Sequence, residues 1–262
     1  VTTSAVASKT VTRRRLAEFG VICVALSWGP WLLMQLLGVP VDEGAGQLVF
    51  GLAASGPSLA ALVMWFWHRE RRQGVSWTPV WFVAAVVLGA AAQLLATALI
   101  GNLAELPGHA SSVIAGAGGV LGAAVYTFLA GPVAEEFGWR GYVQPRLRQY
   151  YGPLATTAVL GTAWWLWHLP LYFLAGTGQH EDGLFTQQGL VFLLELFPLT
   201  FLMLFVTERL RGGVPAAILM HAAWNLTSEL VPPLGDAVWL ELVAVTAVAV
   251  VAGWWWRRTL RA

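Results

Sequence analysis

What most constrains this chain is a succession of long apolar runs separated by short loops. A helix that crosses the hydrocarbon core of a bilayer needs about 20 mostly apolar residues. About eight segments qualify, roughly 17 to 38, 48 to 67, 77 to 101, 112 to 136, 154 to 175, 189 to 207, 214 to 232 and 237 to 256. They leave no room for a soluble domain. Composition agrees: of 262 residues, 57% are hydrophobic and 11% charged, and the mean hydropathy is +0.65. A soluble domain carries about 25% charged residues, so this chain has too few ionised side chains to solvate a globular surface, and it is far too apolar to stay disordered. The predicted fold class is all-α, a polytopic membrane helical bundle of about eight transmembrane helices. Residues 1–262 form one integral-membrane domain, with a motif-bearing core at about 112–232.

Cytoplasmic loops retain Lys and Arg, which fixes the orientation. The fifteen basic residues are Lys9, Arg13, Arg14 and Arg15 before the first span; Arg69, Arg71 and Arg72; Arg140, Arg146 and Arg148; Arg209 and Arg211; and Arg257, Arg258 and Arg261 after the last. With eight spans all of them fall on one side. The opposite loops hold Asp42, Glu43, Glu105, Glu181, Asp182 and Asp236. Both termini are therefore expected in the cytoplasm, with the first span kept as an anchor because no small-residue cleavage site follows it. The net charge of +1 gives no reason to expect a nucleic-acid partner. A single cysteine, Cys23, excludes an intrachain disulfide and a cysteine-built zinc site. Trp65, Trp67, Trp139 and the run Trp254, Trp255, Trp256 sit beside basic loops, where indole rings favour the membrane interface. Gly118 and Gly122 have the spacing that lets another helix approach, so the fourth span is expected to be central and packed.

Ionisable groups within spans cost about 2.5 to 3.5 kcal/mol each at mid-membrane, so each needs a reason. Three clusters stand out. At the end of the fourth span, Glu135 and Glu136 point about 100° apart on a helix. Glu136 and Arg140, four residues apart on one face, are placed to pair, which leaves Glu135 to face something else. In the fifth span His168 follows Trp164, Trp165 and Trp167 and precedes Pro170, whose ring encourages a kink. In the seventh, His221 and Asn225 share one helical face. Taken singly, each cluster has a structural explanation in an interfacial ion pair or an interhelical hydrogen bond. Together, on three helices, they make a constellation that bundle packing does not require. Glu195, Glu229 and Glu241 have no assigned role beyond packing or the interface.

The series Glu135-Glu136-x-x-x-Arg140, then Trp164-x-x-x-His168, then His221-x-x-x-Asn225 resembles, in order, the three motifs of the CPBP intramembrane proteases. That family includes the type II CAAX prenyl endopeptidases and bacteriocin-processing or immunity proteins. The resemblance covers about residues 130 to 226. It departs at Trp164, where the family usually carries phenylalanine. The resemblance implies an eight-helix fold and an endopeptidase acting in the cytoplasmic half of a bacterial cytoplasmic membrane. Its partners would be membrane lipid and a membrane-associated peptide or protein, prenylated or otherwise lipid-anchored. It implies that Glu135 and His168 activate a water, that His221 and Asn225 donate to an oxyanion, and that Glu136, Arg140 and Trp164 support them.

A rival design makes Glu135, His168 and His221 the ligands of a zinc ion, with water at the open position. The lack of a His-Glu-x-x-His signature favours the metal-free design. Two other classes compete: a non-enzymatic membrane adaptor or bacteriocin-immunity protein of the same fold, and a proton-coupled transporter, for which no internal repeat is evident. There is also a question of depth. Glu135 sits near the end of its predicted span, whereas His168 lies about 21 Å along the next one. The two meet only if helix continues through the basic segment from Trp139 to Tyr151.

Overall fold

The computed structural model describes residues 3–41, 43–68, 78–129 and 131–258, with side chains from Thr10 onward in the first helix. Asp42, Arg69, Arg71, Arg72, Arg261 and the side chain of Lys9, which enter the orientation argument, lie outside the described residues. Among the described residues every regular element is helical. In chain order they are α1 (Thr3–Leu37), α2 (Gly44–Ala54), α3 (Gly56–His68), α4 (Pro79–Leu99), α5 (Leu106–Gly116), α6 (Val120–Leu129), α7 (Pro132–Gly138), α8 (Gln144–Leu147), α9 (Pro153–His168), α10 (Gly178–Asp182), α11 (Gln187–Leu204), α12 (Gly213–Leu230) and α13 (Trp239–Arg258).

Five stretches are helical, long and apolar enough to cross a membrane: Thr10–Leu37, Pro79–Leu99, Val120–Leu147, Gln187–Arg209 and Gly235–Arg258. A sixth arises if α2 and α3, bent by 51° at Ser55, count as one span. The remaining predicted segments are also helical. α9 is 16 residues long and gives way to a 3-10 turn, Leu169–Phe173, at Pro170. α12 has 18 residues and carries His221, Asn225 and Glu229, which lower its apolar character.

The fourth predicted span, 112 to 136, is not one packed helix. α5 ends at Gly116, and Gly118 and Gly119 take left-handed backbone angles, φ 80° and 94°, that a side chain would strain. Instead of seating a neighbouring helix, Gly118 breaks the chain direction, and Val120 and Leu121 just after it are exposed. The tightly packed part begins later, at α7, and runs through a π-helical stretch, Trp139–Val143, into α8. At Gly138 a β-carbon would lie 2.5 Å from the Pro57 carbonyl oxygen, so the absence of a side chain lets α7 lie directly on α3. Gly89 does the same for α4 against α12, where a β-carbon would meet the Met220 carbonyl oxygen at 2.5 Å.

Side-chain bonds join the helix ends into two groups. Thr12 of α1 lies 3.4 Å from Gln149 and 3.3 Å from Tyr150 just past α8; Glu18 bonds His68 at the end of α3. Arg148 pairs with Glu208 beyond α11, and Arg209 lies over Trp255 near the end of α13. These contacts gather the described basic ends in one place. At the other end His109 bonds the Glu229 carbonyl oxygen and Gln187 bonds Asp236. The tryptophans divide. Trp67, Trp254 and Trp255 are exposed, as interfacial rings should be, but Trp65 and Trp139 are buried against Tyr142 and Phe19, and Trp256 against Phe201 and Phe205. Proximity to a basic loop in sequence does not decide which way an indole points. Cys23 is buried and free.

Candidate active site

Glu135 lies in the first turn of α7, whose entry is fixed by Pro132 at the first helical position and by Ser58 Oγ donating to the Val133 carbonyl oxygen at 2.9 Å. Because helix continues to Leu147, Glu135 is not at a cytoplasmic helix end as the predicted boundary placed it. It stands about twelve residues, roughly 18 Å, inside that end. This resolves the question of depth, since α9 enters from the same side and reaches the same level at Trp164. Trp164 Nε1 donates to Glu135 Oε2 at 2.6 Å. The Trp164 carbonyl oxygen, one turn on, is 2.9 Å from His168 Nδ1.

Those bonds set how the imidazoles can work. A carbonyl oxygen only accepts, so His168 Nδ1 carries the hydrogen and Nε2 of the neutral ring has a free lone pair. His168 is packed edge-on against Trp167 and Phe192, at 4.8 and 5.2 Å between ring centroids, which fixes its orientation. His221 is different. Its Nδ1 is 2.8 Å from Glu136 Oε1, the same oxygen that Arg140 Nη1 reaches at 3.0 Å. An oxygen bound by a guanidinium is a carboxylate acceptor, so His221 donates through Nδ1 and its Nε2 is also a lone pair in the neutral ring. His221 can donate to an oxyanion only as an imidazolium, with Glu136 as its counter-ion. Asn225 has an amide donor that needs no such condition.

Glu136 thus braces more than a helix end. It links α7 to α12, while the Arg140 guanidinium lies 4.2 Å from the Trp164 ring centre and 3.5 Å from Thr200 Oγ1 on α11. Glu136 and Arg140 are almost wholly shielded, at 0% and 2% exposure, so this is a buried, paired layer. Above it is a cavity of about 350 Å³ lined by Glu135, Trp164, His168, His221, Asn225 and Gly131 among others. Gly131 marks where these groups converge. A β-carbon there would sit 3.2 Å from Asn225 Nδ2, 3.4 Å from Glu135 Oε1 and 3.6 Å from His221 Cε1.

Glu135, Trp164, His168, His221 and Asn225 therefore line one cavity, and Glu136 and Arg140 support it. Glu195, left without a role above, also lines the cavity wall, as does Glu229. Several contributors gave no local signal. Trp28 Nε1 donates to the Trp167 carbonyl oxygen and Trp167 Nε1 to Ser27, joining α1 to α9 beside the site. The departure at Trp164 also has a consequence, since phenylalanine has no N–H to offer Glu135.

Among the described residues no group of three or more His, Cys, Asp or Glu side chains is placed to hold a metal ion. Glu135 Oε2, His168 Nδ1 and His221 Nδ1 are each engaged by protein groups, which leaves Glu135 Oε1 and the Nε2 of both imidazoles facing the cavity's chemistry.

Residues 117–227 match the family described as type II CAAX prenyl endopeptidase Rce1-like. A curated CAAX prenyl protease 2 from Methanococcus maripaludis is 30% identical over 128 residues, 48% of this chain and 46% of the relative, so the matched part is about half of that protein's length. The match spans α7, α9 and the part of α12 that carries His221 and Asn225. Residues 117–227, less than half of the chain, are thus similar to the Rce1-like type II CAAX prenyl endopeptidases.

Proposed function

We propose that this protein is an intramembrane endopeptidase that hydrolyses a peptide bond of a membrane-associated substrate through a water activated by Glu135. The observation that carries this reading is the convergence of Glu135, His221 and Asn225 at Gly131, with His168 lining the same cavity. The Trp164 N–H holds one oxygen of Glu135, leaving Oε1 towards the cavity as the acceptor. A water bonded to Oε1 and to the His168 Nε2 lone pair has its oxygen free to attack. As it adds to the scissile carbonyl carbon, its proton passes to Glu135 and the carbonyl electron pair moves to oxygen, where the Asn225 amide stabilises it. Collapse re-forms the carbonyl and breaks the C–N bond, and Glu135 returns the proton to the leaving nitrogen. The position suits a general base, a role that contributes about 10²–10⁴-fold.

The test is proteolysis by purified protein of a pool of membrane-anchored and prenylated peptides, read by mass spectrometry. Cleavage by wild type and its loss in folded Glu135→Gln is the expected result, with a chelator-treated sample showing whether a metal takes part. Equal inertness of both proteins across the pool would favour a binding member of the fold.

A further inference from the structure

Resting on the endopeptidase reading, we infer that the catalytic cavity selects a peptide that carries a lysine or arginine near the bond to be cut, and that Glu195 receives this cationic side chain. Glu195 takes no part in the hydrolysis described above.

Three observations carry this. The first is where Glu195 stands. It lies on α11, is 9% exposed, and lines the same cavity as Glu135, His168, His221 and Asn225. Phe192, three residues earlier on the same face of α11, packs edge-on against His168 at 5.2 Å between ring centroids. Glu195 is therefore about one helical turn from a ring that touches the reacting groups. A long side chain on the segment being cut can reach it.

The second is the lack of a partner. Glu135 is held by Trp164, and Glu136 by Arg140 and His221. Among the described residues no hydrogen bond or ion pair reaches the Glu195 carboxylate, and the charged groups that act on it are Glu241 of α13 and Asp182 at the end of α10, both acids. Burying a carboxylate without a partner is unfavourable, and an ionisable group kept within a membrane helix against that cost marks a place where something binds or passes. A cation entering the cavity supplies what the protein does not.

The third is the sign of the cavity wall. Glu135, Glu195 and Glu229 line it, and no Lys or Arg does so among the described residues. A low-dielectric cleft lined by one sign of charge concentrates the opposite sign. Phe192, Leu196 and Leu199, beside Glu195 on the wall, suit the aliphatic stem of a lysine or arginine whose charged head meets the carboxylate. A neutral side chain in that place leaves the carboxylate unpaired, which is how a polar site rejects an analogue lacking the matching group.

The experiment uses the purified full chain in detergent and a set of membrane-anchored peptides, identical except that one position at a time, on either side of the cut bond, carries lysine, arginine, glutamine, methionine or glutamate. Cleavage is read by mass spectrometry and binding by fluorescence anisotropy of the labelled peptides. At one position wild type should favour lysine or arginine over glutamine and methionine by at least about tenfold, in kcat/KM and in affinity. Glu195→Gln should lose that preference through weaker binding and slower cleavage of the basic peptides, and Glu195→Lys should turn it towards glutamate. Equal handling of basic and neutral peptides by wild type, or a preference for basic peptides kept in Glu195→Gln, overturns the inference. The glutamine peptide reports whether a variant is folded, and wild-type discrimination is tested without any variant. Cleavage with no charge preference would sink the role of Glu195 and leave the endopeptidase reading standing. Tighter binding of basic peptides, lost in Glu195→Gln, by a protein that cuts none of them would do the reverse.

Discussion

The two cavities differ in a way their sizes do not suggest. The larger, on the basic side, has Arg148 paired with Glu208 and Gln144 bonded to Thr207 and Glu208, so most of its polar side chains already have partners. The smaller holds a carboxylate with one oxygen fixed and the other open, two imidazoles with directed lone pairs and an amide with no side-chain bond. Chemistry needs a base, proton acceptors and a donor held around one point, and of these two cavities the smaller gathers them. Arg140 lines the larger cavity, while its partner Glu136 holds His221 of the smaller.

Removing that layer should have a large effect. Arg140→Ala leaves Glu136 buried with only His221, and truncating one partner of a buried pair costs about 3–5 kcal/mol. Denaturant unfolding in detergent should show the loss; an unchanged midpoint would mean the pair does not hold the layer. Asn225→Ala comes next. Loss of one oxyanion donor lowers kcat by about 10²–10³-fold, with folding intact, and a variant as active as wild type would move the oxyanion role elsewhere. A smaller effect is expected of Trp164→Phe, which keeps the ring and removes the N–H to Glu135. A hydrogen bond to a charged group contributes about 1.5–3 kcal/mol, so kcat should fall at least about tenfold with KM little changed. Retained kcat would show that the N–H does not position the base. The smallest belongs to the other cavity. Arg148→Ala breaks a partly exposed ion pair worth about 1 kcal/mol, and turnover should stay within about twofold. A collapse of activity there would join the two cavities functionally and break the comparison.

Much of this was legible in the sequence because membrane insertion penalises every stray polar group. Long apolar runs gave the helical class, whereas Arg140, counted among the loop residues, is buried beside the site. Intramembrane Glu135, His168, His221 and Asn225 stood out for the same reason. What could not be read depended on three dimensions. The break at Gly118 and Gly119 looked like a packing motif, because glycine serves both close approach and left-handed turns. The bond from His221 to Glu136 spans 85 residues and leaves no periodic trace. Replacing phenylalanine with Trp164 looked like the exchange of one ring for another until its N–H was found on Glu135. Depth was misjudged because a span boundary drawn from hydropathy ends where charges begin, whereas the helix bearing Glu135 carries its buried charges onward to Leu147.

The most direct test of the central claim is a single turnover in water carrying a heavy oxygen isotope, comparing wild type with Glu135→Gln. If Glu135 activates water, the label appears in the new carboxyl terminus of the product, none enters the Glu135 side chain, and the folded Glu135→Gln protein yields no product. Label recovered in Glu135 would identify it as a covalent nucleophile, and cleavage by Glu135→Gln at the wild-type rate would remove it from the chemistry altogether.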